Sequence, residues 1–69
     1  MGMKGILTKR RERLREKRLE KGFTQAKLAN EVGVSIEQIR SLEYGRVDPS
    51  FKVMMNVCSA LDSKPEEIF

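Results

Sequence analysis

In the segment "SIEQIRSLEYG", residues 35 to 45, Ile36 and Arg40 stand four residues apart, and so do Glu37 and Ser41. On an α-helix that spacing gathers all four on one face. The chemistry open to such a face is recognition by hydrogen bonds. A guanidinium at Arg40 donates bidentately, as a pair of acceptors such as guanine N7 and O6 requires. The Ser41 hydroxyl donates or accepts. Glu37 either accepts from an amine such as cytosine N4 or orients Arg40. Ile36 either meets a thymine methyl or staples the preceding turn. Covalent chemistry has no comparable set. The chain has no histidine, and Cys58, its only cysteine, shares helical spacing with Met54, Val57 and Leu61 and reads as a small core hydrophobe. A zinc finger and a His-based site are excluded. With no metal set and no nucleophile–base pair, no enzyme, metal, cofactor or small-molecule substrate is expected.

Charge points to the kind of partner. The net charge is +4, and nine of the 14 basic residues (Lys4, Lys9, Arg10, Arg11, Arg13, Arg15, Lys17, Arg18 and Lys21) fall before Gly22. Only Glu12, Glu16 and Glu20 offset them there. Such asymmetry suits a polyanion on one side of the molecule. The alternative is a solvated face held by pairs three residues apart: Glu12 with Arg15, Arg13 with Glu16, Lys17 with Glu20. No run is long or apolar enough for a signal peptide or a membrane span, so a cytoplasmic protein is expected.

The elements that must position the Arg40 face follow from caps and periodicity. At 69 residues there is room for one domain, residues 1–69, with 1–7 as a short extension. Helix 1 is expected from Thr8, a good N-cap, to Lys21, with Gly22 as its stop and Leu7, Leu14 and Leu19 as its apolar positions. Arg18, four residues after Leu14, falls on the inward face and needs an acid. Thr24 caps helix 2, with Ala26, Leu28, Ala29 and Val32 inward. Gly33 supplies the positive φ of a tight turn, and Ser35 caps helix 3, with Gln38 placed for a capping box. Val34, Ile39 and Leu42 face in. Ser50 caps helix 4, whose stripe is Phe51, Met54, Val57, Cys58 and Leu61. Pro65 opens a last short helix. The fold class is all-α: a compact five-helix bundle with a central helix-turn-helix. That arrangement holds its second helix proud, at an angle fitting the ~12 Å major groove of DNA.

The spacing "R..KGFTQAKLANEVGVS...I..LE.G", followed by "PS" and "ALDSKPEEIF", resembles the Cro/phage-repressor type of helix-turn-helix proteins, the XRE-type transcriptional regulators. The resemblance runs from about Leu14 to Phe69, most of the chain. It implies a lambda-repressor-like DNA-binding domain. By resemblance Gln25, first in helix 2, grips a phosphate, and Arg18 and Glu43 form a buried ion pair. Base reading would fall to Ile36, Glu37, Arg40 and Ser41, and backbone contacts to Lys27, Tyr44 and Arg46. Asp48 in the following loop weakens the expected phosphate clamp there. Relatives place polar or basic residues at the Ile36 and Glu37 positions, so the operator is not readable from the family. The family also implies a homodimer joined near the C-terminal helices, for which Leu61, Ile68 and Phe69 are the apolar candidates, closure of the monomer core being their alternative. The expected function is a sequence-specific regulator of double-stranded DNA, a repressor on a palindromic operator. The alternative is the antitoxin of a toxin–antitoxin pair.

Overall fold

Three hydroxyl caps start three helices. Thr24 Oγ1 accepts the Lys27 N–H at 3.0 Å, Ser35 Oγ that of Gln38 at 3.1 Å, and Ser50 Oγ that of Val53 at 3.2 Å. The computed structural model describes residues 10–69. Within them lie α1 (Glu12–Glu20), α2 (Gln25–Val32), α3 (Ile36–Tyr44), α4 (Phe51–Ala60) and α5 (Pro65–Ile68). The fold is all-α. Gly33, at φ +84°, ends α2 in the left-handed region, and the Gly33 and Val34 N–H groups both donate to the Ala29 carbonyl. α3 therefore starts three residues later, at Ile36, and packs on α2. Gln38 does not return the bond it donates to Ser35, so the expected capping box forms in one direction only.

α1 departs from expectation at its start. Leu7, Thr8 and the 1–7 extension lie outside the described residues. The helix itself begins at Glu12, because Arg11 sits at φ −90°, ψ 78°. Its backbone N–H donates to the Glu43 carbonyl at 2.8 Å, which ties the chain sideways to the end of α3. Only Leu14 and Arg18 of α1 are buried, and Leu19 is exposed. Of the three expected ion pairs along α1, Lys17–Glu20 forms, at 3.5 Å; the other two do not close.

The core is one cluster of Leu14, Leu28, Ala29, Val32, Ile39, Leu42, Val57, Cys58, Leu61 and Ile68, flanked by Val34, Phe23 and Met54. α2 packs on α3 and α4, while α5 folds back against α1 and α4. Two expected inward residues are not inward. Ala26 is exposed, since Leu28, Ala29 and Val32 define a face about 100° away from it. Phe51 is 74% exposed, because it begins α4 beyond the reach of the helices that cover Val57 and Leu61. Cys58 is buried, and its thiol is pushed above the ordinary range by burial first and by Glu66 and Glu67 second.

Candidate nucleic-acid interface

The site is built outward from a buried pair. Arg18 Nε donates to Glu43 Oε2, and Nη2 donates to Oε1 at 3.2 Å. Its remaining nitrogen, Nη1, donates to the Phe23 carbonyl at 2.8 Å. The two side chains are 7% and 5% exposed. Among the described residues no buried side-chain nitrogen or oxygen lacks a partner. The pair locks α1 to α3 where an unpaired charge would be costly.

From Glu43 a chain of hydrogen bonds runs to the surface. Gln25, first residue of α2, donates from Nε2 to Glu43 Oε1 at 3.1 Å. Its Oε1 accepts from Arg40 Nε at 3.3 Å. Arg40 Nη1 in turn donates to Glu37 Oε2 at 2.5 Å. Of the four residues on the outer face of α3, Arg40 and Glu37 are exposed and bonded to each other, while Ile36 and Ser41 are partly buried. Ile36 packs against the core cluster, so much of its side chain serves the turn.

The phosphate-contact candidates lie on α2, on α3 and in the loop after α3. Lys27 lies in the first turn of α2, exposed, with Glu31 at 3.9 Å. Tyr44, last residue of α3, is exposed, with the Arg10 guanidinium 4.8 Å and the Arg46 guanidinium 5.1 Å from its ring centre. Arg10, Arg11, Arg15, Gln25 and Tyr44, with Glu12 and Glu43, line an open cleft of about 340 Å³. Its mix of guanidinium, amide and phenol donors suits an anion.

Arg11 is a structural residue that the charge count alone did not single out. Its guanidinium donates to the Leu42 carbonyl at 2.7 Å, the Val47 carbonyl at 2.9 Å and Asp48 Oδ1 at 2.8 Å. Asp48 is thus matched by a cation inside the protein instead of standing alone in the loop. The C-terminal apolar residues also need correction. Leu61 and Ile68 are fully enclosed in the core of the single chain and present nothing to a partner. Phe69 is partly buried, with the Arg11 guanidinium 5.5 Å from its ring centre. Among the described residues the exposed large apolar side chains are instead Phe51, Met55, Val47, Leu19 and Tyr44. Among the described residues no cluster of metal-ligating side chains occurs, and no helix is long and apolar enough to cross a membrane.

Comparison with known proteins meets this geometry. A helix-turn-helix family model matches residues 14–68. An HTH-type transcriptional regulator of Archaeoglobus fulgidus is 37% identical over 59 residues, covering 86% of this chain and 84% of that protein. One of Methanothermobacter thermautotrophicus is 42% identical over 57 residues, 81% of this chain and 83% of that protein. Among solved structures, the restriction-modification controller protein C.AhdI from Aeromonas hydrophila superposes with a TM-score of 0.76 at 34% identity, over 84% of this chain and 88% of that one. The clp gene regulator ClgR from Corynebacterium glutamicum does so with a TM-score of 0.73 at 34% identity, over 80% of this chain and 58% of that one.

Proposed function

The chain belongs to the XRE-type helix-turn-helix family of transcriptional regulators, and from that premise we propose that it reads a specific double-stranded DNA sequence as a homodimer. Each α3 would enter one major groove of a two-fold symmetric operator, with half-sites about one turn, ~10 bp, apart. The observation that carries this reading is the Arg40 guanidinium, exposed on the outer face of α3 and held on two sides. Arg40 reads guanine, Ser41 a base or phosphate beside it, and the exposed part of Ile36 a thymine methyl. Glu37 serves by holding Arg40. Gln25 has a second N–H for a phosphate at the free N-terminus of α2. Lys27, Tyr44 and Arg46 continue the backbone contacts, and Arg10 and Arg15 join them.

The role is regulation without catalysis, by occluding RNA polymerase from a promoter, in the cytoplasm on the nucleoid. Residues 1–69 act as one DNA-binding unit. Two solved neighbours, a restriction-modification controller protein and a clp gene regulator, support a regulatory role. Phe51 and Met55, one turn apart on α4, with Val47 before them, are the apolar surface best suited to a second copy. An antitoxin would use the same surface for a toxin; a chain that stays monomeric on its DNA, with Phe51 still accessible, would favour that reading.

Selection of bound duplexes from a random pool, at two salt concentrations, tests the proposal. An enriched symmetric site, relaxed at one base pair per half-site in Arg40→Ala, is the expected result. Binding that is salt-sensitive but unselective, or absent, would overturn it.

A further inference from the structure

We propose that Gln25 is a positioning residue for specificity: it carries the rigidity of the buried Arg18–Glu43 pair out to the Arg40 guanidinium and sets its orientation before DNA arrives. The inference rests on the reading of Arg40 as a base reader.

The argument turns on polarity. A glutamine amide has a donor end and an acceptor end, and either can in principle face either neighbour. Here the neighbours leave no choice. An ionised Glu43 only accepts, so the NH₂ end must face it, at 3.1 Å. A guanidinium only donates, so the oxygen must face Arg40 Nε, at 3.3 Å. A flipped amide would set oxygen against carboxylate and N–H against N–H. Glu43 in turn cannot swing, because Arg18 holds both its oxygens.

At the outer end the guanidinium is fixed at two corners, Nε by Gln25 and Nη1 by Glu37 at 2.5 Å. One N–H of Nη1 and both of Nη2 remain unused. Nη2 is therefore wholly free, and with the unused N–H of Nη1 it leaves donors for the paired acceptors guanine N7 and O6. A free surface arginine would lose its rotamer freedom on binding DNA, whereas this one has lost much of it already. Because Gln25 uses only one N–H on Glu43, positioning Arg40 and gripping a phosphate are compatible, and the experiment must separate them.

The test is a double-mutant cycle on the full chain with its selected duplex, and with duplexes changed at each base pair in turn. Gln25→Met keeps side-chain length and removes both polar ends; Glu43 keeps Arg18, so the fold survives, checked by thermal melting. Gln25→Met should cut discrimination about tenfold at the base pair read by Arg40 and leave the other positions unchanged. In an Arg40→Ala background it should change discrimination no further. In the free protein, the Arg40 Nε–H resonance should move on Gln25→Met. Uniform weakening on every duplex, persisting in Arg40→Ala, would assign Gln25 to phosphate alone and overturn the proposal, as would an unmoved Nε–H resonance. If Arg40→Ala itself leaves every position as selective as before, Arg40 is not a base reader and the underlying reading falls with it.

Discussion

Two arginine–glutamate pairs sit at opposite ends of one hydrogen-bond chain, and they have opposite uses. Arg18 and Glu43 join α1 to α3 inside the core, with the remaining Arg18 nitrogen on a backbone carbonyl. Glu37 and Arg40 lie one turn apart on the outside of α3, open to water. Removing a partner from the first leaves a charge where water cannot reach it; removing one from the second lets the other hydrate. Exposed pairs are worth at most ~1 kcal/mol, so an external ligand can compete for them. The fold encloses one pair, and the proposed reading assigns recognition to the pair it leaves accessible. Arg11 with Asp48 falls between: its arginine side chain is 16% exposed and its acid 94%.

The largest expected effect follows from the enclosed pair. Glu43→Ala should cost about 3–5 kcal/mol, read by denaturant or thermal unfolding, because Arg18 is then buried without its acid. In a domain this small, that approaches the whole stability. Replacing both partners by methionine should recover part of the loss. Arg40→Ala should melt with the parent. Equal melting points for Glu43→Ala and Arg40→Ala would break the comparison.

Next in size is the intermediate arginine. Arg11→Ala removes three hydrogen bonds, to the Leu42 and Val47 carbonyls and to Asp48, and leaves the Leu42 carbonyl, at the end of α3, with the Gly45 N–H alone. A loss of about 1–3 kcal/mol is expected, the range for losing a part-buried hydrogen bond from a charged donor. Asp48→Ala should be silent in the same melt, because Arg11 keeps both carbonyls and Asp48 is almost wholly in water. If Asp48→Ala costs as much as Arg11→Ala, the charge pair and not the carbonyl clamp holds the loop.

Gly33→Ala probes the angle that brings Gln25 to Arg40. A Cβ at Gly33 would meet nothing within 4 Å, so the penalty is the left-handed backbone alone. That amounts to about 1–2 kcal/mol. A loss well beyond this range would mean that the turn relaxes and the Gln25–Arg40 bond is broken with it, visible in the same Arg40 Nε–H resonance.

What could be read in advance was local or forced. Thr24, Ser35 and Ser50 cap because a hydroxyl before an apolar-periodic run satisfies orphan N–H groups within three residues. Arg18 on an apolar stripe demands an acid whatever the fold, and the family resemblance named Glu43. The misses depend on distant packing. Leu61 and Ile68 were eligible for a dimer surface until α5 folded back onto α1 and α4. Arg11 binds carbonyl oxygens of α3 and its following loop, and a carbonyl carries no side-chain signature. Phe51 fits the stripe of α4 by periodicity, yet nothing extends far enough to cover the first turn of that helix. The Gln25–Arg40 bond spans 15 positions and required the α2–α3 angle to be known.

The smallest effect on stability, and the sharpest on recognition, belongs to Glu37. Its carboxylate lies against Arg40, so toward a phosphate backbone the two are close to neutral together. Glu37→Gln keeps the size and a hydrogen-bond acceptor while removing that charge. The melting point should stay where it is. Binding to random duplex DNA should tighten, and its dependence on log salt should steepen by about one ion, since Arg40 is then free to neutralise a phosphate. On the selected site the gain should be smaller, because there guanine already occupies the fork. The ratio of specific to non-specific affinity would therefore fall even as both affinities rise. If that ratio rises instead, Glu37 is repelling the operator itself, and the exposed pair opposes recognition instead of aiming it.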